Sequence, residues 1–324
     1  MELSICTVSF WNATEIAWHV DLARQLNPDV RLRWIIVDNA PGEASAPLRA
    51  LAGEVSLLAG VEPIHTPHYH HTLALARAIE QADTRFVLVI DPDFFVVREG
   101  WASTMMAHMQ ARELAILGVP WHPRRTDKYR YFPAVHCALF DTERFPRTEI
   151  DFQPDFPNGD NDPAWPRGYL PEENYFTVNP LSRLLARLPP LRVRRVFYID
   201  TGSRLYKKYI RDRSLAFELI EPVYDPSRHS VTLKGSTRWL ERLLPDELCY
   251  VPKYYRDTHD RGFIQGYTDQ PIPTEWEEFI WQDRPFGFHM RRNAHVEQRS
   301  KEEEKAVAGK IVANIRTRGG TAPG

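Results

Sequence analysis

The sequence predicts an α/β protein built on a mostly parallel sheet with helices on both faces. Two observations predict it. Over the first 140 residues, short apolar runs alternate with segments of helical period, and strands alternating with helices form βαβ units whose strands are buried on both faces. The runs also end in polar residues, Ser9 to Asn12, Asp38 to Ala40 and Asp91 to Asp93. In open α/β sheets, ligands sit beyond the carboxyl ends of the strands, so these three places should converge on one crevice.

The elements follow in order. LSICTVSF, LRWIIVD, RFVLVI, LAILGV and AVHCALF read as strands rich in β-branched and aromatic residues. ATEIAWHVDLARQL, TLALARAIEQA and EGWASTMMAHMQA carry apolar residues at helical spacing. From Pro146 to Pro190 the chain turns to proline, aromatic and acidic residues, a density of proline that opposes both regular structures and suits a long lid or binding loop or, equally, a simple surface excursion. Order returns with VRRVFYID as a strand, TGSRLYKKYIRDR as a helix and LAFELI as a strand. Residues 231–290 are aromatic-rich and mixed, SKEEEKAVAGKIVANIR is a charged amphipathic helix, and the last residues read as a frayed tail. The division implied is 1–145 for a ligand-binding half, 146–298 for a second half of the same domain, and 299–324 for the terminal helix and tail.

Composition narrows the functional classes. With 43% hydrophobic and 26% charged residues, the 324-residue chain is an ordinary globular protein able to bury a large core. A net charge of -2 opposes a surface-wide nucleic-acid footprint, which needs a basic excess. The longest apolar runs, such as FVLVI, fall far short of the ~20 residues of a membrane helix. The start MELSICTVSF carries an acid where a secretory signal carries positive charge, so a cytoplasmic protein is expected. Cys6, Cys137 and Cys249 are odd in number and far apart, which suits small buried hydrophobes in a reducing compartment.

Asp91 and Asp93 suit either a solvated turn or a site that holds a divalent cation. In an extended chain alternate residues point the same way, so both carboxylates face one side, and Pro92 stiffens the gap. Hard oxygen ligands of this kind suit Mg²⁺ or Mn²⁺, which complete their shell with substrate phosphates and water.

The order TVSFWN, IIVDNA, a helix, then VLVIDPDFFV resembles the nucleotide-binding half of GT-A fold glycosyltransferases, the family 2 type, over roughly residues 3–145. The resemblance implies a metal-dependent, inverting transfer of a sugar from a UDP-, GDP- or dTDP-sugar to a hydroxyl of a glycan, lipid or small molecule. It implies that Ser9 and the ring of Phe10 or Trp11 line the base pocket and that Asp38 accepts from the base. Asp91 then faces the ribose or the metal shell, Asp93 binds the metal, and a late histidine, His289 in RPFGFHMRRNAH, joins it, with His295 and His259 as alternatives and Arg291 and Arg292 for phosphate. The base that takes the acceptor's proton sits where a later strand gives way to a helix. Asp200 stands there, with Glu172 and Glu173 as rivals.

Each of these residues has a plainer reading: Asp38 as a turn former after a strand, Asp200 as a helix cap, His289 as a core histidine. The sequence also departs from the family's pattern. HTPHYHH carries His65, His68, His70 and His71 where the family more often has Asn and Gly; of these, His70 or His71 would cap the helix and lean toward the diphosphate. Arg238 and Trp239 resemble part of a processive synthase element, but Gly235 replaces its glutamine, so non-processive transfer is expected. Two other functions remain open. One is a non-catalytic nucleotide- or sugar-binding protein of the same fold. The other is a phosphotransferase of the haloacid dehalogenase type, which Phe95 and the position of the Asp pair in the chain oppose.

Overall fold

The structure, a computed structural model, describes residues 1–40, 42–51, 53–62, 67–124, 128–129, 131–154, 180–185, 188, 200–210, 212, 214–225, 243–245, 249, 260–290 and 298–318. The first five predicted elements are present as β1 (Glu2–Ser9), α1 (Ala13–Leu26), β2 (Arg31–Asp38), α3 (Pro67–Glu80) and β4 (Phe86–Ile90), with a short α2 (Ala46–Arg49) and β3 (Ser56–Ala59) between β2 and α3. After the Asp-Pro-Asp turn come β5 (Phe94–Val96), α4 (Trp101–Arg112), β6 (Ile116–Gly118) and β7 (Cys137–Asp141). The later elements are α5 (Pro180–Leu185), α6 (Ser203–Tyr209), β8 (Phe217–Leu219), β9 (Glu221–Val223), β10 (Glu277–Trp281), β11 (Arg284–His289) and α7 (Gln298–Arg318).

Seven strands form the main sheet in the order β3-β2-β1-β4-β7-β6-β8. Strands β3, β2, β1 and β4 run parallel, β7 is antiparallel to both its neighbours, and β8 runs parallel to β6. The sheet is therefore mostly parallel, as the alternating pattern requires. Strand period two divides its side chains between two cores. Leu3, Ile5, Ile36 and Leu88 join α1, α4 and α7 on one face, while Cys6, Val8, Val37 and Val89 meet α3 and α6 on the other. Each such buried aliphatic side chain contributes about 1.5–3 kcal/mol. Asn27 ties two helices together, its Nδ2 donating to Ala23 O at 2.8 Å and its Oδ1 accepting from Ala102 N at 2.8 Å.

Two features differ from the sequence reading. A second, antiparallel sheet, β5-β11-β10-β9, packs against the first core. The proline-rich segment also holds a helix, α5, which starts on Pro180, a position where the missing N–H costs nothing. The strand expected at 193–200 lies outside the described residues except for Asp200, as does most of the 146–190 loop. Among the described residues, no helix is long and apolar enough to cross a membrane.

Candidate functional site

The Asp-Pro-Asp turn is the seam between the two sheets. Asp91 follows the last residue of β4 and Asp93 precedes the first of β5, and each is pinned by a strand from far along the chain. Asp91 N donates to His136 O at 2.9 Å, continuing the β4–β7 pairing. Met290 N donates to Asp93 O at 2.8 Å, continuing the β5–β11 pairing. Pairing thus delivers one histidine to each acid.

The side chains follow. His136 Nδ1 lies 3.1 Å from Asp91 Oδ2, and His289 Nε2 lies 3.0 Å from Asp93 Oδ1. The two imidazole rings are 4.6 Å apart at 41°, and ligand atoms of Asp91, His136 and His289 all lie within 4.8 Å of one another. His71 Nε2 stands 3.9 Å from the other Asp91 oxygen, whereas His70 Nε2 faces Val61 O at 3.3 Å. Burial alone would raise the Asp91 carboxyl, but the hydrogen bond and charge of His136, with His71 and His289 near by, hold it well below the usual carboxylate range. Asp91 is therefore ionised and ready to meet a cation.

Behind His289 stands a fully buried carboxylate. Glu277 Oε2 lies 3.6 Å from His289 Nδ1, and Arg124 Nε holds Glu277 Oε1 at 3.0 Å while the same guanidinium also meets Glu275. A carboxylate behind an imidazole fixes which ring nitrogen faces the site. One carboxylate with two imidazoles, and a further carboxylate beside the second, is a donor set that fits a divalent cation. Sequence reasoning named Asp91, Asp93 and His289 but missed His136, whose only signal was a histidine at the head of the apolar run AVHCALF.

The expected nucleotide side lies at the ends of β1 and β2, where Ser9 pairs with Asp38. Ser9 is fully buried, and its Oγ has no hydrogen-bond partner among the described residues. Phe10 and Trp11 are exposed, their rings meeting edge to face at 6.3 Å, and His70 also meets Phe10 edge to face at 6.1 Å. Trp11 adopts φ 64°, a left-handed conformation uncommon for a bulky residue and frequent at binding sites. Asp38 Oδ1 accepts from Ala40 N at 3.1 Å, the turn bond that its plainer reading requires, and Asn39 joins both strand ends by donating to Ser9 O at 2.9 Å.

Asp200 precedes α6, but it is not the cap. Gly202 occupies that position at φ 86°, and Asp200 Oδ1 instead accepts from Thr201 N at 2.7 Å and Thr201 Oγ1 at 2.9 Å. Its Oδ2 meets Lys128 Nζ at 2.5 Å. Lys128 lies over the Trp121 ring at 5.2 Å, and Trp121 meets His136 edge to face at 4.3 Å. A continuous path of contacts joins Asp200 to the histidine beside Asp91. Glu172, Glu173, Arg291, Arg292, His295, His259 and the side chains of His65 and His68 lie outside the described residues, as do Gly235, Arg238 and Trp239.

The chain is similar to solved structures of GT-A-type nucleotide-sugar glycosyltransferases. One is the mannosyltransferase PcManGT from Pyrobaculum calidifontis in complex with GDP-Man and Mn²⁺, at 15% identity and a TM-score of 0.36, over 46% of this chain and 47% of that one. The match thus spans about half the length of PcManGT. An active-site mutant of the galactosyltransferase LgtC matches at 12% identity and a TM-score of 0.42, over 95% of each chain. TarS from S. aureus in complex with UDP-GlcNAc matches at 12% identity and a TM-score of 0.34, over 47% of this chain and 48% of that one. No family model and no curated protein matches the sequence. The chemistry of the site stands on its own distances.

Proposed function

We propose that the chain is a divalent-cation-dependent, non-processive and inverting glycosyltransferase acting on a nucleoside-diphosphate sugar. The observation that carries this reading is the gathering of Asp91, His136 and His289, with Asp93 beside them, at the carboxyl end of a central strand in a mostly parallel sheet. Asp91, His136 and His289 would hold Mn²⁺ or Mg²⁺. A cation held there would stabilise negative charge on a departing diphosphate.

The chain's own residues take the remaining roles. Phe10 and Trp11 offer exposed aromatic faces for a base, and Asp38 has its second carboxylate oxygen for a base donor. Asp200 would accept the proton of an acceptor hydroxyl as that oxygen bonds to the anomeric carbon. Such a hydroxyl must share Asp200 Oδ2 with Lys128, which is 2.5 Å away.

That same ion pair favours a second reading, in which the protein binds a nucleotide or sugar without turning it over. Incubation with UDP-, GDP- and dTDP-sugars, with and without Mn²⁺ or Mg²⁺, separates the two. Metal-dependent release of nucleoside diphosphate supports transfer. Binding without release from any donor, with or without candidate acceptors, leaves the binding protein.

A further inference from the structure

The cation site contains more nitrogen than an Asp-x-Asp pair supplies. His136 and His289 are both almost wholly buried, their ring centroids lie 4.6 Å apart, and each brings a ligand atom to within 4.8 Å of one on Asp91. The His136 ring has little freedom to leave. Its backbone carbonyl is bonded to Asp91 N, its Nδ1 to the Asp91 carboxylate, and its flank is closed by Trp121 at 4.3 Å. His289 is held by Asp93 at 3.0 Å from its Nε2, with the Glu277 carboxylate 3.6 Å from its Nδ1.

We propose that His136, with His289, makes this site select Mn²⁺, Fe²⁺, Co²⁺ or Zn²⁺ over Mg²⁺ and Ca²⁺. The inference rests on the reading of the site as a cation site. Mg²⁺ demands near-octahedral oxygen ligands and keeps several waters, and Ca²⁺ takes six to eight oxygens. Two buried imidazoles offer nitrogen in place of oxygen. Imidazole nitrogen suits the later divalent ions, whose affinities for such donors rise along the transition series. His136 is the selecting residue, because without it the site would hold two carboxylates and one imidazole, a set that oxygen-seeking ions tolerate better.

The test needs no sugar donor. Protein stripped with EDTA is titrated by calorimetry with MnCl₂, CoCl₂, ZnCl₂, MgCl₂ and CaCl₂, and the Co²⁺ form is followed by its visible d–d absorption. The parent should bind the transition ions at least about tenfold more tightly than Mg²⁺ or Ca²⁺. His136→Gln should weaken Mn²⁺ and Co²⁺ by about 10–100-fold, the usual scale for disturbing a metal site, and narrow the gap to Mg²⁺. A melting curve of the stripped variant reports its fold, and the parent's ion ranking decides the matter even if that variant fails to fold. Equal affinity for Mg²⁺ and Mn²⁺, absence of binding by every ion, or a folded His136→Gln that keeps the parental ranking would each overturn the proposal. Selective binding without release of nucleoside diphosphate from any donor removes the transferase reading and leaves this one. Donor turnover supported equally by Mg²⁺ and Mn²⁺ does the reverse.

Discussion

Asp93 Oδ1 and His289 Nε2 stand 3.0 Å apart although 196 residues separate them in the chain. The antiparallel pairing of β5 with β11 makes this contact, and His289 in turn shares with Asp91 and His136 the position where their three ligand atoms gather. Asp93→Asn keeps the side chain's shape but removes the charge beside that position. Metal-dependent nucleotide affinity should fall by about tenfold or more, with the melting temperature close to the parent's because Asp93 lies in a turn. Calorimetry of UDP and GDP binding with and without Mn²⁺ measures it. Unchanged metal dependence would remove Asp93 from the site.

How much of this was legible in the sequence depends on how each element announces itself. Strands β1, β2 and β4 are buried on both faces, so they read as apolar runs, and the acids after them mark the crevice. The second sheet does not read this way. Its strand β10 opens with Glu277 and Glu278, two acids that are almost fully buried because their charges are met locally. Arg124 takes Glu277, and the amides of Phe263 and Ile264 donate to Glu278 Oε1 at 2.5 and 2.7 Å. Nothing in a hydropathy pattern signals such partners. His136 escaped for a related reason: it becomes a site residue only through the antiparallel pairing of β7 with β4, and pairing is a tertiary fact. Asp91 and Asp93 were readable because their spacing is local.

Asp38 is seen making its turn, so the prediction must separate turn from recognition. Asp38→Asn retains an acceptor for Ala40 N but exchanges a carboxylate oxygen for an amide, while Asp38→Ala loses both. If the carboxylate accepts from a nucleotide base, both variants should bind that nucleotide more weakly, Ala by ~1–3 kcal/mol for an unpaired buried donor. Metal dependence should not change. The binding constants for UDP, GDP and dTDP give the answer, and parental affinity in both variants leaves Asp38 a turn residue.

His19 predicts how stability varies with pH. It packs between Trp34 and Phe95, with ring centroids 5.3 and 5.1 Å away, and burial pushes its pKa down to about 3 despite the opposing charge of Asp93. In the unfolded chain the same imidazole titrates near pH 6.5. Below that value the unfolded state takes up a proton that the folded state refuses, so stability falls as pH falls, by at most about 1.4 kcal/mol per unit from this group. The window runs from about pH 6.5 down toward 3. His19→Phe, similar in size and unable to titrate, should flatten the slope between about pH 6.5 and 4.5, above most carboxylate titration. Urea unfolding at several pH values checks this, and identical slopes in the two proteins would contradict it.

The last prediction separates catalyst from binder at Asp200. Because Gly202 caps α6 and the Asp200 carboxylate accepts from Thr201 and meets Lys128, the carboxylate is not the cap that starts the helix. Asp200→Asn keeps an acceptor for Thr201 N but cannot take a proton. If Asp200 is the base, transfer should fall by about 10²–10⁴, while donor affinity stays near the parent's. Lys128→Met should then do something different: it leaves the carboxylate in place without its ammonium, a loss that costs stability because a buried ion pair is broken, yet it should preserve transfer far better than Asp200→Asn does. A purely structural ion pair predicts that the two variants lose stability together and retain activity per folded molecule. The measurement is initial transfer rate, donor Kd and melting temperature for all three proteins. If Asp200→Asn keeps more than about a tenth of parental activity, far above what loss of a general base allows, the proton goes elsewhere. Glu172 and Glu173 are then the carboxylates to replace.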